Sequence, residues 1–399
     1  MTRFMKKLWV TVGILFIFCA LSTLPVPFLN VGALQEVSFP DYLKIMNLFS
    51  GGGIAGYTVM AVGVLSFVTA NIIMQILTYN ISTFYLMQRT AYGKKQIEKA
   101  TKYIACGLAF WFSLMTTKQM ESTYHILSQN TVQVYLIIAV THVLGTITTI
   151  YFATEITEKG IGDGLSLLLC TNIVSQIPGF IMEQYNFYSC GIKSLENITE
   201  FCISVVIILF IASILFSSNR KIQICSIRNG QKDEYPIRTV LPGVYSVFTV
   251  EGLLQSLYIV VLHVKGETAA SFFAYGRPFY IFASTILVFI FNMLFTVMMF
   301  DSKYVAESLQ KAFHEIPSVR PGKQTSAILN TEILKTGLFG SFGLMMCVLI
   351  SNLIFVTLNY PVDVAAFVIV LQTAIAMYQQ IHLEHCFSSI FDINYDYER

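Results

Sequence analysis

The stretch Leu48-Phe49-Ser50-Gly51-Gly52-Gly53-Ile54-Ala55-Gly56-Tyr57-Thr58 decides how the rest of the chain is read. It is apolar, yet four of its eleven residues are glycine. In a helix centre each glycine costs about 1 kcal/mol relative to alanine, so the run is poor material for a spanning helix. It nonetheless leads straight into Val59–Tyr79, an apolar stretch of about the 20 residues that cross a hydrocarbon core. Such a segment suits a short re-entrant element that packs against others and can leave. Backbone of that kind is tolerated at membrane depth only where protein or a water-filled cavity surrounds it.

Composition agrees with a membrane setting. Of 399 residues, 55% are hydrophobic and 12% charged, about half the charge of a soluble domain. Lys+Arg 25 against Asp+Glu 23 is too balanced for a nucleic-acid binder. The eight cysteines are scattered, none in a C-x-x-C pair, so neither a disulfide framework nor a zinc ribbon fits.

Ten candidate spans lie between charges and turn residues: 8–28, 59–79, 103–120, 131–152, 164–182, 199–217, 240–262, 279–300, 336–356 and 362–382. Several run past about 15 residues without period-2 alternation, which favours helices over membrane strands. The third is the weakest, with only Tyr103 to Thr117 free of charge. Lys118 can snorkel outward from its end. With the N-terminus inside, twenty of the 25 Lys and Arg residues fall on the cytoplasmic side, so both termini are expected in the cytoplasm. The first span follows Lys6 and Lys7 like a signal peptide. It continues through Pro25 and Pro27 without a small-residue cleavage site, and is read as a retained helix.

Spans one to five and six to ten have similar lengths. Five being odd, the second half must be inverted relative to the first, and inverted repeats put the working site between the halves. The expected organisation is an N-terminal half over 1–182, an external connection over 183–198, a C-terminal half over 199–385 and a cytoplasmic tail over 386–399. Two cytoplasmic loops exceed a tight turn. Residues 218–239 alternate around Asn229-Gly230 and read as a hairpin. Residues 301–335 carry both charge signs with Pro317 and Pro321-Gly322, and long loops of this kind serve as docking surfaces or remain disordered.

The run from Leu48 to Thr78 resembles the plug and second helix of SecY, the protein-conducting channel family. Four further stretches resemble the same family in order: Leu24-Pro25-Val26-Pro27 closing the first span; Gly93-Lys94-Lys95-Gln96 with Thr101-Lys102-Tyr103, as a basic loop before the third; the run from Ile156 to Ser166, ITEKGIGDGLS, before the fifth; and the run from Ser318 to Thr325, SVRPGKQT, at the tip of the largest loop. The resemblance implies an all-α membrane protein whose ten transmembrane helices form two inverted five-helix halves around an hourglass pore. A plug at about 48–58, formed by Ser50, Gly51, Gly52, Gly53, Ile54, Ala55 and Gly56, would cover it from outside, and a side gate would open to lipid.

Carried over position by position, the pore ring implied by the resemblance is Val68, Ile72, Leu169, Ile173, Phe248 and Thr373. Each of the first two pairs is spaced i, i+4, on one helix face. A collar of branched apolar side chains excludes ions by dewetting while offering no fixed hydrogen bonds to a passing polypeptide. Thr373 departs from the aliphatic pattern and Phe248 is larger than usual, which points to an asymmetric ring. Without the resemblance, these positions read as ordinary helix packing.

The resemblance also implies docking of a motor ATPase of the SecA kind, or of a ribosome, on Arg220, Lys221, Arg228, Arg238, Arg320 and Lys323. SecE-like and possibly SecG-like small membrane subunits would complete the complex, and preproteins would be its substrate. No Walker motif, catalytic constellation, metal site or cofactor is expected, so energy comes from a partner or the membrane potential. His382 and His385 are spaced i, i+3 but lack a distant ligand cluster. Asn80-Ile81-Ser82 and Asn197-Ile198-Thr199 match the glycosylation pattern, the first on the cytoplasmic side. The short loops and tail resemble the accessory SecY of Gram-positive bacteria, which exports serine-rich glycosylated adhesins. The alternatives are a housekeeping SecY and, from another class, an inverted-repeat secondary transporter using Glu251, a carboxylate midway along the seventh span.

Overall fold

The computed structural model describes residues 2–30, 53, 57–127, 129–189, 195–227, 232–265, 271–317, 319–358 and 366–381. A helix occupies each of the ten apolar stretches. In chain order these are α1 (Thr2–Ser22), α2 (Gly63–Asn80), the short α3 (Ser82–Gln88), α4 (Ala91–Tyr124), α5 (Val132–Lys159), α6 (Gly164–Ser189) and α7 (Leu195–Ser217). After strands β1 (Asn219–Ser226) and β2 (Lys232–Arg238) come α8 (Val244–Lys265), α9 (Pro278–Met299), α10 (Ser302–Lys311), β3 (His314–Glu315), α11 (Lys323–Leu358) and α12 (Ala366–Ile381). Among the described residues, α1, α2, α5, α7, α9 and α11 are long and apolar enough to cross a membrane, while α6, α8 and α12 hold shorter apolar stretches. Helix α4 meets neither measure; charges crowd Lys94 to Lys102 at one end, and Lys118 and Glu121 lie near the other.

Boundaries shift from the sequence reading for local reasons. Helix α1 stops at Ser22 rather than at residue 28, since the residue before a proline is driven out of the helical region and Pro25 and Pro27 follow closely. The basic stretch before the third span is not a loop: Gly93–Lys102 belongs to α4. Thr90 caps that helix, its Oγ1 accepting from the Gly93 amide at 3.1 Å. A Cβ at Gly93 would stand 2.2 Å from the Met87 carbonyl, so glycine alone permits the turn between α3 and α4. At 34 residues, α4 is about 51 Å long by a 1.5 Å rise, and roughly 20 Å of it exceeds a 30 Å hydrocarbon core.

The chain divides into two compact units, one of residues up to Ile198 with the part of α12 from Thr373, the other of Thr199–Gln372. In the first, α1 packs on α5 and α6, and α2 on α4 and α5. Helices α2 and α5 meet at glycines. A Cβ on Gly145 would lie 2.1 Å from the Val59 carbonyl, and one on Gly63 would lie 2.6 Å from Thr149 Oγ1. Beside this crossing Val26, Tyr57, Val62, Met120, Ile126 and Ile138 form a buried apolar cluster.

In the second unit α9 packs on α8 and α11. Asn292 on α9, fully buried, accepts from Ser246 Oγ on α8 at 3.1 Å and donates to Ser341 Oγ on α11 at 2.9 Å. About three turns further along α11, Asn352 donates to Ser284 Oγ at 3.0 Å. Interhelical bonds of this sort hold helices together where no hydrophobic difference separates helix from lipid. The expected hairpin is present, with β1 and β2 antiparallel from Asn219 opposite Arg238 to Cys225 opposite Lys232. Strand β3 adds to its other edge, giving the order β2-β1-β3. The segment 301–335 is thus structured rather than an open loop.

Candidate channel site and polar face

The glycine-rich run and the Leu24–Pro27 motif meet in space. The Val26 amide donates to the Tyr57 carbonyl at 3.0 Å and the Val59 amide to the Leu24 carbonyl at 3.0 Å, so Pro25 and Thr58 form an isolated antiparallel bridge. The Thr58 amide donates to the Gly53 carbonyl at 2.8 Å. Of the plug residues expected from the sequence, Gly53 is buried, while Ser50, Gly51, Gly52, Ile54, Ala55 and Gly56 lie outside the described residues.

All six ring positions are buried. Val68 and Ile72 sit on α2, Leu169 and Ile173 on α6, Phe248 on α8 and Thr373 on α12. Several of the polar side chains interspersed with them on α2 and α6 turn back onto their own helices. Ser66 donates to the Val62 carbonyl at 2.8 Å, Thr69 to that of Leu65 at 2.8 Å, Asn71 to that of Phe67 at 2.9 Å, and Thr171 to that of Leu167 at 2.8 Å. Those four side chains spend a donor internally, whereas Asn172, buried between Leu169 and Ile173, and Gln75 on α2 keep polar groups near the aliphatic positions.

The ITEKGIGDGLS motif forms the tight α5–α6 connection. Gly162 is at φ +91°, a conformation glycine adopts without steric cost. Asp163 Oδ2 accepts from the Ser166 amide at 3.1 Å and caps α6. The turn is latched to α1, because the buried Ile161 amide donates to Thr11 Oγ1 at 3.0 Å.

The two segments 218–239 and 301–335 share one small core of Ile224, Ile237, Ala306, Leu309, Ile316, Leu329 and Ile333, the last two from the start of α11. The candidate docking cations decorate it. All five described cations are exposed; Arg220 Nε lies 3.4 Å from Glu332 and Lys221 Nζ 2.7 Å from Glu234, whereas Arg238, Arg320 and Lys323 form no ion pair among the described residues, outside which Arg228 lies. Glu234 raises the Lys221 pKa, and burial raises that of Tyr235. In the SVRPGKQT motif, Gly322 is at φ +101° and Thr325 Oγ1 donates to the Arg320 carbonyl at 3.1 Å, so the loop tip is folded onto the start of α11. Glu251 is half-buried on α8. His382 and His385 lie outside the described residues, among which no group of three or more His, Cys, Asp or Glu is placed to hold a metal.

Sequence reasoning missed two features. One is β3, only two residues long and without any pattern of its own. The other is a buried polar cluster on α4 and α5, for which the available signal was His142, a lone histidine within an apolar span.

These helices and their glycine turns define a polytopic α-helical membrane protein. Its fold is that of a solved structure described as a protein-conducting channel, with a TM-score of 0.73, 16% identity, and 96% of this chain and 93% of that chain covered. The SecY family model matches residues 58–378, and the chain belongs to the SecY family. Relatives include the protein translocase subunit SecY of Streptococcus gordonii, 26% identical over 84% of this chain and 82% of its own length. Another is the protein translocase subunit SecY 2 of Lactobacillus kefiranofaciens, 24% identical over 86% of this chain and 87% of its own length. The resemblance carried by the five sequence motifs therefore holds, and the chain is a multi-pass membrane protein.

Proposed function

We propose that this chain is the central channel subunit of a Sec-type preprotein translocase, passing unfolded polypeptides across the cytoplasmic membrane and releasing apolar segments sideways into lipid. The observation that carries the reading is the SecY match across residues 58–378, supported by the channel fold. The halves 1–182 and 199–385, joined by 183–198, flank the pore, with all ten helices crossing and both termini in the cytoplasm. Val68, Ile72, Leu169, Ile173, Phe248 and Thr373 form the constriction. Its apolar surface excludes ions by dewetting, and the hydroxyls and amide bonded internally on α2 and α6 themselves offer little to arrest a moving chain. The run 50–56 seals the outer side. A signal sequence that binds the open state more tightly than the closed one shifts the population toward opening.

The chain supplies no energy source of its own in this scheme. A motor ATPase of the SecA kind docks on the small core's exposed cations, Arg238, Arg320 and Lys323, with Arg220, Lys221 and Arg228 beside them. SecE-like and SecG-like subunits complete the complex. The accessory form, exporting serine-rich glycosylated adhesins, is favoured by the trimmed loops and by similarity to a relative named SecY 2.

The test is reconstitution in proteoliposomes with candidate small subunits, accessory or housekeeping motor, and matching preproteins. Motor-dependent protection of a preprotein from added protease is the expected result. Protection with the accessory pair and not with the housekeeping pair supports the accessory role, and the reverse assigns the chain to general secretion. No protection with either pair, from protein that remains folded, contradicts the channel reading.

A further inference from the structure

Tyr57 joins the glycine-rich run to the second span, and its backbone is at φ +44°, a left-handed conformation that strains a bulky residue. Such strain persists only where the surroundings over-determine it, and here they do. The ring is 2% exposed. Its edge meets the His142 imidazole with centroids 5.5 Å apart and planes at 87°, a preferred aromatic geometry. The hydroxyl bonds Thr117 Oγ1 on α4. Thr117 spends its own proton on the Ser113 carbonyl, so the Tyr57 hydroxyl is the donor.

His142 is itself unusual. It is fully buried in a membrane-spanning helix, where an ionisable side chain is costly unless paired and marks function by default. Nδ1 lies 2.8 Å from Ser113 Oγ on α4, which fixes the ring, while the buried Nε2 has no hydrogen-bond partner among the described residues. Leucine would pack this site without the polar cost. What histidine adds is a ring held rigidly by Ser113 and aimed at Tyr57. Ser113 thus supports both arms, through its hydroxyl to His142 and its carbonyl to Thr117. The two bonds that tie Tyr57 and Val59 to the Leu24–Val26 segment complete the arrangement.

We propose that Tyr57 is a closed-state clasp: seated in the α4–α5 cleft by His142, Ser113 and Thr117, it holds the outer end of the second span, and the channel opens only when Tyr57 leaves that cleft. The strained backbone makes the seat reversible, since departure relieves the strain while sacrificing the bonds. Tyr57, His142 and Ser113 are positioning residues, acting on the start of α2 rather than on substrate. The consequence for opening rests on the channel reading above; the clasp itself does not.

Two readouts in intact membranes separate these levels. The first is labelling of Thr58→Cys by a membrane-impermeant maleimide from the outer face, resolved peptide by peptide, with the buried native Cys347 of the other unit as the folding control. The second is ion conductance of the reconstituted channel without substrate. Tyr57→Phe, which removes one buried hydrogen bond, is expected to raise labelling about five-fold. Tyr57→Leu and His142→Leu should raise it further, with the two leucine changes combined giving less than the product of their separate effects, because they break one contact. Conductance should rise in the same order. Higher labelling without higher conductance leaves the clasp standing and counts against the channel reading. Unchanged labelling in Tyr57→Leu and His142→Leu, with Cys347 still protected, overturns the clasp. If either leucine variant exposes Cys347, Tyr57→Phe alone decides, by the same criterion.

Discussion

Ser226 on β1 and His314 on β3 stand opposite one another in antiparallel register, as do Cys225 and Glu315. This two-residue seam joins segments distant in sequence into one body, sealed beneath by Ile224, Ile237, Leu309 and Ile316. The proposed docking partner would therefore meet one shaped surface instead of two independent loops.

That sharing has a testable consequence. Ile237 is among the largest fully buried side chains, and Ile237→Ala leaves a cavity costing about 2–5 kcal/mol. The hairpin and the segment around β3 should become protease-sensitive together. Limited proteolysis with fragment mass analysis measures it, and sensitivity confined to 218–239 would show that the segments are independent.

The α2–α5 crossing admits no side chain. Gly145→Val forces a Cβ against the Val59 carbonyl and should destabilise the first unit by about 1–3 kcal/mol or more. The measurement is thermal unfolding in detergent, with Gly107→Val on α4, where a Cβ meets nothing within 4 Å, remaining near the parent.

The hairpin is expected to loosen at alkaline pH. Two of its side chains have raised pKa values: Lys221 through Glu234, Tyr235 through burial. A group whose folded pKa is raised contributes fully below its unfolded value, near 10 for both side chains, and the contribution fades as pH rises through the folded value. Amide exchange in β1 and β2, compared with α10, should speed up above about pH 10 in the parent and less so in Glu234→Gln with Tyr235→Phe.

Docking should depend on the exposed cations that lack an ion pair among the described residues more than on the paired ones. Arg320→Glu with Lys323→Glu is expected to lower motor association about ten-fold with a changed salt dependence. Arg220→Ala, whose guanidinium is 3.4 Å from Glu332 on an open surface, should alter it little. Binding of the motor to reconstituted channel at several ionic strengths distinguishes them, and an equal loss in both variants would place the contact elsewhere.

Much of this architecture was legible because membrane helices announce themselves. Each apolar stretch became a helix, and the alternation from Arg220 to Ile224 became β1. Helix ends were less legible. The polar stretches Ala91–Lys102 and Lys323–Lys335 are charged yet rich in good helix formers, so they continue their helices past the apolar stretch. Strand β3 follows from the edge that β1 offers and not from its own two residues. The collar shows a different limit. Spacing places Val68 and Ile72 on one face, but α2 also buries Val64, Ser66, Ala70 and Met74, so burial alone does not single out a pore-facing stripe. Tyr57 and His142 escaped notice because their relationship is wholly tertiary.

The most direct test of the central claim is crosslinking in membranes from photoreactive probes at Ile72 and Ile173 to a preprotein stalled in transit. The account predicts adducts at both positions that require the motor ATPase and disappear when the stalled chain is released. Absence of adducts, with small reagents still labelling both positions, would show an aqueous cavity that no polypeptide traverses, and would contradict it.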